Sequence, residues 1–529
     1  MGSELENIPD DVPTLQVMLI ASLRREAQLR HLIGVLNRNK FGRKSEKLPA
    51  DQLRLGLEDH AIAMAEVETL ARDGAAAEEN LGRKRGRPRR DDERPRASLP
   101  PHLPRVEVVL EPNAQECPCC MGALHKIGED RSERLDIIPA QFRVIVTVRP
   151  KMACRSCGDG INRALAPKRL VVGGLPTEAL VAYVLTSKYA DHLPLYRQEQ
   201  IFSRQGVEIE RAVMAGWVGH AAARLKPLTE RMTEIMMGMD RLFADETTVK
   251  VLEPGAGKTR TGYFWGIACD DGPYGGRAPP WVVYRYFPNR AHEHGGTLLG
   301  KYRGILQVDG YEAYDKLGHP NRPGGPATIA HCWTHVRRKF FDLNKGDNAP
   351  VARRMLRLIQ LMYKYEKRVR GFSPEARLAV RQAKTARIMR FMRRYIEHIL
   401  ARVLQSGDTA KALRYVVKRW TTLTNFLVDG RIELDTNAIE RCMRPITLQR
   451  KNALFAGHDL GAENWAAISS LIESCKLCGH NPHAYLTDVL TRLLERNDGD
   501  PIDDLLPGNW QDTNAAETRF EMNYIPQAA

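Results

Sequence analysis

The sequence predicts a multidomain α+β chain. A mixed α/β sheet core is interrupted by a long all-α insertion and preceded by coiled-coil, zinc-binding and helix-turn-helix-like modules. Three observations carry this. At 529 residues the chain is far longer than one hydrophobic core supports. Its hydrophobic period changes from helical to strand-like near Arg241 and back to helical near Arg338. Five of its ten cysteines crowd between Cys117 and Cys157.

Taken in chain order, Val12, Leu15, Leu19, Leu29, Ile33 and Leu36 fall on three- and four-residue steps broken by Ser22 and Glu26. This is a short coiled-coil signal, or equally an amphipathic helical hairpin with the second pattern at Leu53, Leu57, Met64 and Val67. From Asp73 to Pro104 the composition turns to Ala, Glu, Arg and Pro, which cannot bury a core and reads as a linker. Its basic run holds Arg83, Lys84, Arg85, Arg87, Arg89 and Arg90. Arg85-Gly86-Arg87-Pro88 is similar to the minor-groove-reading core of an AT-hook, the alternative being a solvated tether with phosphate contacts only.

Cys117-x-x-Cys120 and Cys154-x-x-Cys157 flank an alternating stretch at Phe142, Val144, Val146 and Val148. Two such knuckles aim four thiolates at one tetrahedral ion, so structural Zn²⁺ is expected, with Cys119 spare. Helical patterns from Pro176 to Leu228, with a turn at Gly206, interleave Lys188, Arg197 and Arg204 with aromatics. That suits a helix-turn-helix on DNA, or a helical packing domain.

From Arg241 three strands (LFADETTVKVL, YFWGIACD, WVVYRYF) read as an antiparallel meander. A helix near His292 then alternates with the strands GILQVDG and ATIAHCW, the element order of an RNase H-like fold. The stretch from Arg338 to Phe426 is helical and basic. At Asp435 begins a helix carrying Asn437, Glu440 and Arg444, which Pro445 is expected to bend or end.

The balance of 79 Lys+Arg against 64 Asp+Glu, a formal charge of +15, favours a polyanionic partner. The start has no secretory signal pattern and no stretch reaches the length of a membrane span, so a cytoplasmic, nucleoid-associated protein and no membrane partner are expected. Asp245 lies inside the first strand, Asp309 ends another, and Ile439, Met443 and Ile446 give the Glu440 helix an apolar side for packing on the sheet. Three such carboxylates, converging within a few ångströms, suit a site that cuts phosphodiesters with two Mg²⁺ (or Mn²⁺) ions. His331, Cys332 and His335 have ligand chemistry, but their setting between a strand and Arg337-Arg338-Lys339 reads rather as a packed aromatic junction beside that site. Cys475-x-x-Cys478 reads as helical core.

The stretches FGRKSEKL from Phe41, LPPHLPRVEVVLEP from Leu99, SKYADHLPLYRQEQIFSRQGVEI from Ser187, ADETTVKVL from Ala244, QVDGYEAY from Gln307, CWTHVRRKF from Cys332 and NAIERCMRPITLQRKNALFAG from Asn437, with the two cysteine knuckles, span most of the chain. Together they resemble transposases of the insertion-sequence sixty-six family, TnpC type. One departure is Asp435-Thr436-Asn437, where the family more often has Asp-Asn-Asn.

The resemblance implies a DDE transposase with Asp245, Asp309 and Glu440 as its acids, Asp245 bridging both ions. It also implies a zinc module, a DNA-binding helical region, a leucine-zipper-like start, and possible need for accessory proteins of the same element. The expected partners are double-stranded DNA, both element ends and target, and further copies of the chain. Arg337, Arg338, Arg444, Arg450 and Lys451 join the basic run, Lys188, Arg197 and Arg204 as candidate DNA contacts. The alternatives are a metal-dependent nuclease or resolvase on the same fold, and a non-catalytic DNA-binding regulator. The expected division is a helical region at 1–72, the linker at 73–105, zinc-binding at 106–170 and helical DNA-binding at 171–235. It continues with the core at 236–340 and 429–480, the insertion at 341–428 and a C-terminal segment at 481–529.

Overall fold

The computed structural model describes residues 140–152, 162–171, 174–253, 258–345, 349–497 and 499–512, with Arg105 and Glu107. The candidate coiled coil, the run Arg83–Arg90, all four knuckle cysteines and the tail from 513 lie outside the described residues. The chain divides into two compact units, Met1–Ile138 and Pro139–Ala529. Every strand and helix from Lys151 onward belongs to the second unit.

A short antiparallel pair, β1 (Lys151–Met152) with β2 (Asn162–Arg163), precedes three helices. These are α1 (Glu178–Tyr189), α2 (Leu195–Ser203) and α3 (Arg211–Met237). Thr177 caps α1 by accepting from the backbone N–H of Leu180, and Gly206 takes the positive φ (+76°) of the turn between α2 and α3.

The sheet is mixed, as the strand patterns predict. Its strands are β3 (Arg241–Glu253), β4 (Lys258–Cys269), β5 (Trp281–Phe287), β6 (Ile305–Val308) and β7 (Thr328–His331), in the order β5-β4-β3-β6-β7. The first three form an antiparallel meander, while β6 and β7 add in parallel beside β3. Parallel addition needs crossovers. They are made through α4 (His292–Leu299) and the short α5 (Glu312–Asp315). The inner strand β6 is buried along its whole length, the pattern of a strand covered on both faces.

After β7 come α6 (Trp333–Leu343), α7 (Pro350–Val369), α8 (Pro374–Val380), α9 (Ala386–Leu400), α10 (Asp408–Lys418) and α11 (Trp420–Thr424). The chain then returns through α12 (Asn437–Ala453), α13 (Asp459–Leu477) and α14 (Pro482–Glu495). One apolar core runs from α1 and α3 through the sheet to α13 and α14. A second, rich in methionine (Met355, Met362, Met389, Met392), fills the helical block and reaches the sheet at Ile305 and Ala330. Polar groups lock the block to the sheet. Buried Arg377 donates to Glu366 and Glu433, buried Arg381 donates to Glu366 and to four loop carbonyls, and Arg241 of β3 lies 3.8 Å from Glu433.

The edge strand β5 is covered by α13. The hydroxyls of Ser470 and Ser474, one turn apart, accept from the backbone of Tyr284 and Val282, and Ser474 also donates to Val282. That occupies groups which would otherwise be free to pair with another strand. Pro445 corrects one expectation: α12 does not end near it but continues to Ala453. Pro445 leaves one carbonyl without its helical donor, yet the buried face Ile439, Cys442, Met443, Ile446 and Gln449 holds the helix on the sheet through both halves.

Candidate active site

Asp245 and Asp309 reach one place by register. In the parallel pair β3–β6, Phe243 stands opposite Gln307. Two residues further along each strand come Asp245 and Asp309, which therefore project from the same face at the same level. Asp309 lies just past the end of β6, and its Oδ1 accepts from the N–H of Tyr311 at 2.8 Å. The next residue must be small: a Cβ on Gly310 would lie 2.2 Å from the hydroxyl of Tyr415, whose helix α10 crosses there.

Glu440 is brought to that face by pins at both ends of its helix. Before α12, the side-chain amide of Gln307 both donates to the carbonyl of Glu433 (3.0 Å) and accepts from its N–H (2.8 Å), so the incoming segment lies along the face that carries Asp309. After α12, Ala456 exchanges backbone bonds with Lys250 and Leu252 of β3, both 2.8 Å. Between the pins the helix rests on Gly266, the cross-strand partner of Asp245. A Cβ at Gly266 would lie 2.8 Å from the Met443 sulfur and 3.2 Å from Ile439. Asp245 and Gly266 share a face, so Asp245 points toward the helix that carries Glu440.

The electrostatics differ between neighbouring acids. Glu246, on the opposite face, is held by Arg290 and by the Tyr314 hydroxyl (2.8 Å). Asp315 sits beside His331, and Glu366 and Asp429 are each paired with arginine. Among the described residues no lysine or arginine pairs with Asp245, Asp309 or Glu440. The N–H of Glu246 donates to Asp245 at 2.9 Å. Burial, together with the negative charges of Glu246, Asp309 and Glu440, pushes its carboxyl up to about 8.

Three half-buried carboxylates with no lysine or arginine partner among the described residues form an all-oxygen donor set that fits hard divalent ions. The group whose ligand atoms lie within 4.8 Å of one another is Cys332, His335 and Glu440; Asp245 and Asp309 stand outside it. The expected convergence of all three acids is thus looser than a single-ion cage.

His335 and Cys332 extend the site beyond the three acids. His335 Nδ1 lies 3.8 Å from Glu440, and burial lowers its imidazole below the usual range despite Glu440 and Asp309 nearby. Burial also pushes the Cys332 thiol up to about 11, and its sulfur accepts from the N–H of Thr436 at 3.4 Å. The Cys-x-x-His spacing at the start of α6 signals this pair, but only the return of α12 shows what they face. His331 is turned away, with its ring against Thr422 and Asp315.

Residues 173–464 match the family described as "Transposase IS66 family". The chain belongs to that family. Residues 114–158 match the "zinc-finger binding domain of transposase IS66", residues 470–507 the "IS66 C-terminal element", and residues 28–108 the "Transposase C of IS166 homeodomain". Two relatives from Sinorhizobium fredii (strain NBRC 101917 / NGR234) align along nearly their whole length. "Uncharacterized protein y4qI" is 40% identical over 540 residues, covering 96% of this chain and 98% of the relative. "Uncharacterized protein y4jD" is 38% identical over 517 residues, covering 97% and 98%. Membership of the family implies DNA binding, a divalent metal and a zinc-binding module. No helix among the described residues is long and apolar enough to cross a membrane.

The expected DNA contacts differ in exposure. Arg197, Arg204, Arg338, Arg444 and Lys451 are exposed. Lys188 is half-buried, and desolvation lowers its ammonium below the usual range. Arg337 lies over the Phe341 ring, and Arg450 is tied to Thr247 and Thr248 of β3. The residues of the Arg83–Arg90 run lie outside the described residues, as do Cys117, Cys120, Cys154 and Cys157.

Proposed function

We propose that this chain cuts element ends from DNA and joins them to a target, with its divalent ions held by Asp245, Asp309 and Glu440. The observation that carries this reading is their shared setting. Acids from three distant segments face one place with no lysine or arginine partner among the described residues, while neighbouring acids are paired. The strand order, a meander followed by two parallel strands, supports an RNase H-like core in which α7–α11 stand as the helical insertion.

Two Mg²⁺ or Mn²⁺ ions would supply the clamp on the attacking and leaving oxygens of an in-line displacement. The chain's part is to hold its carboxylates ready. The N–H of Glu246 fixes Asp245, the N–H of Tyr311 fixes Asp309, and the Thr436 hydroxyl donates to Glu440 at 3.4 Å. Asp245, whose carboxyl feels the charges of both Asp309 and Glu440, would be the ligand shared between the ions. Cys117, Cys120, Cys154 and Cys157 are the zinc ligands of the matched module. Because two ends must be brought together, the working form is a homo-oligomer paired through the N-terminal segment matched at residues 28–108, acting with any accessory proteins of its element.

The test uses purified chain, Mg²⁺ and duplexes carrying the inverted repeats that flank the gene. Wild type should cut ends and join pre-cut ones. Glu440→Gln keeps shape but removes a charge that retains a hard cation, so end binding should survive while joining falls by on the order of 100-fold or more. Asp435→Asn, a turn away, should retain substantial activity. Joining by Glu440→Gln at the wild-type rate would show the site is wrong.

A further inference from the structure

Helices α7 and α9 of the helical block carry nine exposed lysines and arginines against one exposed acid, Glu397, which is bound to Arg393. Cations on α3, α10 and α14 are instead paired with nearby acids. Arg231 of α3 is held by Glu234 and Asp503, Lys411 of α10 by Asp408, and Arg492 of α14 by Asp488 and Asp504. A merely solvated face gains from such interspersed pairs at three- and four-residue spacing, whereas concentrated like charge destabilises the free protein.

The unbalanced charge is also ordered in space. Arg354 of α7 lies over the ring of Phe391 of α9, 5.2 Å from its centroid, which makes the two helices neighbours at that point. Phe391 is 44% exposed and stacks on Tyr395 with an interplanar angle of 8°. Arg357 follows Arg354 by three residues, and Arg387, Arg390 and Arg394 surround Phe391 at helical spacing. The five cations of this stripe are all arginine, whose planar fork matches phosphate oxygens better than an ammonium does.

We propose that this stripe, Arg354, Arg357, Arg387, Arg390 and Arg394 around Phe391, is a DNA-backbone-binding surface on the helical block. It rests on the reading of the chain as a transposase and deepens it by placing the duplex. At its other end α7 meets the active site: the Tyr363 hydroxyl lies 3.1 Å from that of Thr334, the neighbour of His335. Tyr363 lies nine helical steps from Arg354, roughly 14 Å along the axis. The stripe therefore grips duplex flanking the cut, and its loss weakens binding without altering the chemical step.

The experiment compares full-length wild type with Arg354→Gln/Arg390→Gln/Arg394→Gln and with the same three positions changed to Lys. Affinity for an element-end duplex is measured across salt concentrations, and cleavage at saturating DNA alongside. The Gln variant should flatten the log-affinity against log-salt slope by about 2.7, lose on the order of 100-fold in affinity near 0.1 M salt, and cut at the wild-type rate when saturated. The Lys variant should keep most of the slope. An unchanged slope in the Gln variant, or an equal loss in the Lys variant, overturns the stripe while leaving the transposase reading intact. A wild type that neither binds nor cuts DNA overturns both.

Discussion

Glu433 closes the charge network that locks the helical block to the sheet, so Glu433→Gln is a direct test of how the two cores are joined. The carboxylate serves Arg377 at 2.5 Å and Arg241 at 3.8 Å, and the side chains of both arginines are fully buried. Arg377 already has two nitrogens without a partner among the described residues, Nε and Nη1. The amide is isosteric and still accepts one bond, so the loss is that of the charge facing two desolvated guanidinium groups. Breaking a buried pair from one side costs about 3–5 kcal/mol, and the retained acceptor argues for the lower end, about 3 kcal/mol.

Urea unfolding followed by tryptophan fluorescence reads this through Trp333 and Trp420 of the block. With a denaturant slope of about 3 kcal/mol/M for a chain of this size, the midpoint should fall by about 1 M. Removing the charges together, as Glu433→Leu/Arg377→Met, should cost less than the sum of the single changes because no orphan charge remains. The network also sets the acid limit. Burial alone would raise the Glu366 carboxyl, but the hydrogen bonds and charges of Arg381 and Arg377 outweigh it and hold it below its ordinary value of 4.5. A carboxyl lowered on folding contributes fully above that value and progressively less as pH falls through its folded value, so the block should loosen below about pH 4.5. A midpoint shift under about 0.2 M, or additive single and double changes, would refute the argument.

Gly266→Val should push Met443 and Ile439 away from β4, costing about 1–3 kcal/mol and slowing cleavage while DNA binding persists. Met443→Ala in the same chain should restore part of both, and a Gly266→Val protein with wild-type stability and cleavage would mean that α12 does not rest there. About one zinc should be bound per chain. Cys154→Ser should release it and Cys119→Ser should not, as read by metal analysis, and full zinc content in Cys154→Ser would rule out the two-knuckle site.

Much of the site was legible because its parts obey short-range rules. The alternating residues around Asp245, the Asp-Gly ending the strand at Asp309, and the apolar spacing of Ile439, Met443 and Ile446 each announce an element and a face. Pro445 does not end the helix, for the opposite reason. A local rule predicts a bend or an end near it, but the helix continues because a face buried on the sheet outweighs one lost hydrogen bond. Arg450, read as a DNA contact from its charge, is engaged by Thr247 and Thr248, which no spacing in the sequence reveals.

By itself, the sequence determined the order and kind of the elements in the described core, the family, and which carboxylates to examine. Period, turn chemistry and motif spacing are properties of neighbours along the chain. Only the tertiary structure decided that Glu440 returns to Asp245 and Asp309 after the helical block, that His335 and Cys332 stand beside it, and that Arg354 and Phe391 form one stripe. Those pairings depend on the pins at Gln307–Glu433 and Ala456–β3 and on the packing of α7 against α9. Contacts between segments tens to hundreds of residues apart are set by the burial of complementary faces, and no local pattern encodes them.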